Sequence, residues 1–367
     1  MKTRPVHFFI WFGVLAVLTG PTWGQEDEKN IFSGKISVEA GTYQPSGGGL
    51  SPYLYSHLMM ESHPDLLPGL SLGLAAQANW QAATVPMFSS EPEFPVKDLV
   101  DLDWANSDSP DNIYSLKLDQ AFLHWTSGSL DVTAGLFKPQ WGTAAFFRPT
   151  DYFFPNPPLV WFRDVPLGSE GLDATCFLFD DLSVEGAARW LEGGTTEGVL
   201  RLVDKGIGIS VTPSFAWLSG RNGFGLEMAG TFPDFKVYVE AVDWFYGDGN
   251  ARVEWTAGLS TANKGIVYTA EVLRDETGRI LGDFSDRLGE ATYVYLSAQG
   301  SLFTRWKVTP SLVTPLEGGP FLFWPKVSWT FATPWEAAFQ AQFPLGNWNG
   351  PLDLYPGRAG LSISYSF

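Results

Sequence analysis

Alternation of apolar residues with polar or small ones is the dominant pattern in this chain. It is clearest at the end, where Ala359, Leu361, Ile363, Tyr365 and Phe367 alternate with Gly360, Ser362, Ser364 and Ser366. A period of two assigns one set to each face of a strand. The same pattern sets Val253, Trp255, Ala257 and Leu259 against Arg252, Glu254, Thr256 and Ser260, and Leu182, Val184 and Ala188 against Ser183, Glu185 and Arg189. Near the start, Ile36, Val38 and Ala40 oppose Lys35, Ser37 and Glu39. So many strands with charge on alternate positions fit a transmembrane barrel, whose polar face lines a wet lumen and whose apolar face meets lipid.

Counting such runs predicts eighteen strands, from 32–42 and 51–61 at the start to 335–344 and 358–367 at the end. The count is even, as a closed antiparallel barrel requires when both termini lie on one side. Most alternate connections are tight, as at Gly128, Asp180-Asp181, Phe232-Pro233-Asp234 and Asn263-Lys264-Gly265, while the long ones, 83–112, 139–167, 275–290 and 345–357, all fall on the opposite end. Pro213, Pro310 and Pro325 lie inside predicted strands, where each removes a ladder donor. They predict bulges, positions above the membrane rim, or one hairpin too many, which keeps sixteen strands as an alternative.

The first residues have a different character. Lys2 and Arg4 precede an apolar run from Phe8 to Leu18, and Thr22-Trp23-Gly24 precedes the polar QEDE. This is the pattern of a secretory signal peptide over residues 1–24, leaving a single barrel domain over 25–367. The rest holds no apolar run long enough for a membrane helix. Aromatic residues make up 15% of the chain and 16 of them are Trp, which suits belts at two membrane interfaces. The net charge of −17, more negative still once Lys2 and Arg4 leave with the leader, argues against a nucleic-acid partner. Cys176 is the single cysteine and reads as a small buried or lipid-facing apolar residue.

Two stretches carry a family likeness. The terminus at Phe367 resembles the last strand of bacterial outer-membrane barrels, which implies that this residue is the signal read by the barrel assembly machinery. The segment from Leu118 to Pro158 resembles porin-like outer-membrane β-barrel families, on Gly135, Trp141, Gly142, Asp151 and Pro155. The likeness implies an all-β, up-and-down transmembrane barrel of about 16–18 strands in the outer membrane of a diderm bacterium, and offers no catalytic residue.

Candidate chemistry follows from position. The loop 139–167 is too long and too aromatic to be solvated, and folding it into the barrel mouth buries its rings. That fold delivers Arg148, Asp151, Arg163 and Asp164 to a constriction, where charge sets ion preference; a folded cap held by Arg–Asp pairs is the competing reading. Lys117, Asp119, Glu185, Arg189, Lys236, Glu240, Arg252, Glu254 and Glu271 fall on faces assigned to the lumen. The loop 83–112 is dense in acidic residues but lacks the spacing of a calcium loop, so no metal or other cofactor is expected. His57, His63 and His124 show no ligand or triad spacing, so catalysis is not expected either. The function expected is a porin-like channel for small polar solutes, weakly cation-preferring. Lipids and the assembly machinery are its expected partners, and a homo-oligomer remains open. A closed-lumen binding or adhesion barrel is the alternative, and a barrel hydrolase a third.

Overall fold

The computed structural model of the chain describes residues 32–43, 51–83, 104–109, 112–153, 169–191, 194–206, 208–276, 292–316, 321–345 and 357–367. The leader, most of the acidic loop, and Arg163 and Asp164 lie outside them, as do the side chains of Lys117 and Asp119. Among the described residues there are twenty strands. The first ten are β1 (Phe32–Tyr43), β2 (Ser51–Ser62), β3 (Asp65–Leu67), β4 (Leu70–Ala83), β5 (Trp104–Ser109), β6 (Asn112–Ser127), β7 (Leu130–Phe137), β8 (Ser169–Phe179), β9 (Leu182–Trp190) and β10 (Thr196–Asp204). The others are β11 (Ile209–Leu218), β12 (Arg221–Thr231), β13 (Phe235–Tyr246), β14 (Ala251–Asn263), β15 (Ile266–Asp275), β16 (Thr292–Leu302), β17 (Trp306–Pro315), β18 (Phe321–Ala332), β19 (Trp335–Leu345) and β20 (Arg358–Ser366).

Eighteen of these strands form one antiparallel ring, closed where β1 pairs with β20 from Lys35 opposite Ser366 to Tyr43 opposite Arg358. Beyond that ladder, Gly34 and Phe367 exchange two backbone hydrogen bonds of 2.9 Å, so the chain end is stitched into the seam. Closure leaves no free edge in a medium that cannot hydrogen-bond one. The other two strands are flaps: β3 folds onto the foot of β4, and β5 onto the upper part of β6. Neither alternates, which is why the pattern does not announce them. Outward positions such as Leu200, Phe224, Leu226, Val239, Leu361 and Ile363 are exposed, as lipid-facing residues must be.

Tight turns fall where the pattern places them. Lys264 and Gly265 link β14 to β15 with φ of 50° and 80°, the two-residue hairpin that needs a left-handed pair. The three prolines have a simpler explanation than bulges or a miscounted hairpin. The β10–β11 ladder lapses at Thr212 and Pro213, between Arg201 opposite Ser214 and Asp204 opposite Val211. The β16–β17 ladder lapses at Pro310 and the β18–β19 ladder at Pro325, and the two prolines face each other across β17 and β18. Register is the same on both sides of each gap. The wall therefore leaves out a few hydrogen bonds without shifting a strand. Register does shift elsewhere in the ring, between Phe177 and Phe179, between Thr330 and Ala332, and in β4–β6, where Gln120 faces Ala75 and Leu118 faces Ala76, which leaves Asp119 as the extra residue.

Candidate functional site

The chain leaves β7 and continues inside the lumen. Residues 138–153 run along the inner wall from β9 to β18, packed by their own rings. Trp141, Tyr152 and Phe153 join Val199, Val242 and Trp244 in one buried cluster. Phe146 and Phe147 join Leu273, Tyr293, Val313 and Leu322 in a second, and Phe146 stacks on Tyr295 with centroids 4.2 Å apart. Inner faces of β10, β13, β15, β17 and β18 thus carry apolar residues where a water-filled lumen has no use for them. Each fully buried ring of the Phe147 kind contributes about 1.5–3 kcal/mol to holding the loop down.

Burial removes water from the loop's backbone, so its N–H groups need acceptors. Two wall carboxylates supply them. Glu240, fully buried on β13, accepts from the N–H groups of Thr143 at 2.6 Å and Ala144 at 2.7 Å, and from the Thr150 hydroxyl at 2.7 Å. Glu271 on β15 accepts from the N–H groups of Ala145 at 2.6 Å, Phe146 at 3.1 Å and Phe147 at 3.3 Å, and from the Tyr238 hydroxyl at 2.5 Å. Gly142 adopts φ of 91°, and a side chain there would press on the Glu240 carboxylate. A positive φ and a close approach both demand glycine.

The far end of the loop has its own anchors. Arg189 donates to the Phe153 carbonyl at 2.9 Å, stacks over the Phe153 ring, and pairs with Glu197 at 2.6 Å. The Tyr152 and Ser214 hydroxyls share a 2.5 Å hydrogen bond above Gly225, where an added methyl would strike the tyrosine oxygen.

The wall not covered by the loop is polar. Arg201 on β10 pairs with Glu185 on β9 at 2.7 Å, and reaches across β11 to Glu227 on β12 at 3.0 Å. The reach is possible because β11 presents only Thr212 and Ser214 there, both small and buried. The guanidinium also lies 5.4 Å from the Trp141 ring centroid, so the loop is its lid. Between this group, β6–β8 and loop residues 138–142 is a cavity of about 530 Å³, also lined by Gln120, Thr133, Lys138, Asp173 and Thr175.

Against this geometry the expected residues separate into groups. Glu240, Glu271 and Arg189 hold the loop, Lys236 donates to the Thr143 carbonyl, and Glu185 faces the cavity. Glu254 is fully buried on β14, while Arg252 is exposed at the upper end of that strand beside the Tyr246 ring. On the loop itself, Asp151 is buried, and Arg148 donates through Nε to the Ala144 carbonyl at 2.8 Å, bracing the turn. Residues the pattern does not single out, Arg201, Glu227, Asp173 and Lys138, line the cavity. In β10 the signal is muted because Arg201 shares its face with the buried Val199 and Val203, the first of which packs under the loop. Both His124 ring nitrogens meet threonine hydroxyls, of Thr133 and Thr126, on the lower wall. Among the described residues no three His, Cys, Asp or Glu converge as a metal site.

No protein-family profile matches the chain, and no curated protein matches it by sequence. Solved structures match it by shape. Pseudomonas aeruginosa OccK5 (OpdH) superposes with a TM-score of 0.60 at 9% identity, over 92% of this chain and 98% of that one. OccD3 (OpdP) of the same organism gives 0.57 at 10% identity over 94% and 93%. A BenF-like porin from Pseudomonas fluorescens Pf-5 gives 0.58 at 8% identity over 92% and 98%. At such identities the likeness is one of architecture: the closed antiparallel ring of eighteen strands has the fold of these porin barrels.

Proposed function

We propose that this barrel is a passive channel of the outer membrane through which small polar solutes diffuse past the inserted loop. The observation that carries the reading is the polar cavity beside residues 138–142. Residues 138–153 narrow the lumen, and beside them, on the side of β6–β12, charged and amide side chains line a space that supports the passage of polar solutes. A ring of this strand number encloses a wide bore, and an inserted loop is what reduces it to solute size. Asp173, Glu185 and Glu227 outnumber Lys138 and Arg201 there, which supports a weak preference for cations. The seam position of Phe367 fits recognition of the last strand by the assembly machinery, with outer-membrane lipids around the apolar wall.

Single-channel recording in a planar bilayer tests this, with the reversal potential measured under a salt gradient. Discrete steps with a modest cation-side reversal are expected. A refolded, heat-modifiable barrel that stays electrically silent refutes the channel and leaves a closed scaffold that acts through its outer loops.

A further inference from the structure

The cavity is built for one chemical class of solute. We infer that it is a binding subsite for neutral polyhydroxylated solutes of sugar type, an inference that rests on the channel reading above.

The first ground is that its guanidinium is already matched within the protein. Arg201 is buried and its two terminal nitrogens are held by Glu185 and Glu227 at 2.7 and 3.0 Å. An incoming carboxylate finds that guanidinium spent, and meets three acidic side chains, Asp173, Glu185 and Glu227. An incoming ammonium meets Arg201 and Lys138. Either ion would give up its hydration for a site with little net charge to return.

The second ground is the valence left over. Glu185 and Glu227 each commit only Oε2 to Arg201, so Oε1 of both is unengaged, and Arg201 Nε is buried without an acceptor. Two carboxylate acceptors therefore stand together on one wall. Gln120, Gln140 and Thr175 add groups that both donate and accept. A hydroxyl is the solute group that satisfies such a wall, since it donates to a carboxylate and accepts from a glutamine amide N–H. Adjacent hydroxyls on a ring do so in pairs.

The third ground is shape. Phe122, Phe137 and Trp141 contribute apolar edges to the same cavity, and a sugar ring has a C–H face to set against them. Its volume of about 530 Å³ lies within the roughly 300–1,000 Å³ of pockets that hold small ligands.

The test is current block in single channels, with glucose and sucrose as probes and arginine and glutarate as charged comparators. The variants are Gln140→Ala and Thr175→Ala, which remove hydroxyl partners and touch none of the loop anchors described above. Heat-modifiable migration confirms that each is a folded barrel before recording. The expected result is saturable block by the sugars, weakened roughly tenfold in the double variant. Sugars that lower conductance only linearly, as viscosity does, or saturable block by arginine or glutarate alone, overturn the inference while the channel stands. Silence in the absence of any solute overturns the channel reading, and the subsite with it.

Discussion

If Glu240 and Glu271 hold the loop through their charge, converting both to glutamine loosens it without changing side-chain size. Each carboxylate collects three backbone N–H groups, from Thr143, Ala144 and Thr150 and from Ala145, Phe146 and Phe147. Hydrogen bonds to a charged acceptor contribute ~1.5–3 kcal/mol against ~0.5–1.5 for neutral ones, so each loses roughly 1 kcal/mol. One Glu→Gln change thus weakens docking by about 3 kcal/mol, and the population of the undocked loop rises roughly a hundredfold. The amide NH₂ also turns a donor toward donors. Hydrogen exchange of residues 143–147 reads the effect directly, and single-channel conductance reads its consequence. The double variant Glu240→Gln/Glu271→Gln should exchange faster there and show larger, noisier openings. A folded double variant with unchanged protection and unchanged conductance would refute the idea that these carboxylates hold the constriction.

Gly225→Ala sets a methyl against the Tyr152 hydroxyl and should push the loop's far end off the wall, red-shifting the emission of Trp141 and Trp244; unaltered emission would contradict the packing. Arg201→Met leaves Glu185 and Glu227 facing each other unpaired and should cost ~3–5 kcal/mol, read as a lower urea midpoint, with the reversal potential moving further to the cation side. Pro310→Ala returns a donor to a lapsed ladder and should change stability by no more than about 1 kcal/mol, measured as the temperature of the heat-modifiable shift. Deleting Phe367 removes both bonds to Gly34 and should lower the yield of assembled barrel in membranes; undiminished assembly would detach the chain end from that role.

The wall was legible because lipid and water impose opposite demands on alternate residues, and segments such as 252–261 and 358–367 obey both. Strand limits read from that alternation match β14 and β20 to within a residue or two. Where the alternation blurs, the reason is the loop. Val242, Trp244, Leu273 and Leu322 occupy inner positions because the loop's rings lie on them, and no count of strand periodicity records a tertiary partner. Glu240 and Glu271 were visible as inner carboxylates, but what they serve was not, since their partners are backbone amides that carry no side-chain signature. Arg201 was hidden by Val199 and Val203 on the same face, and its link to Glu227 crosses an intervening strand. The proline gaps were invisible for another reason: a ladder can skip a few bonds without any change in which side chains face which way.

The loop's two carboxylate anchors have a consequence for assembly. Thr143 and Glu240 are 97 positions apart and Ala145 and Glu271 are 126 apart, so the contacts that narrow the lumen are far from local. The loop cannot dock until β13 and β15 stand in register. Narrowing is therefore a late event that reports on how well distant strands have closed. A pairing fault far from residues 138–153 would first appear as an undocked loop, so its docking doubles as a check on the completeness of the barrel.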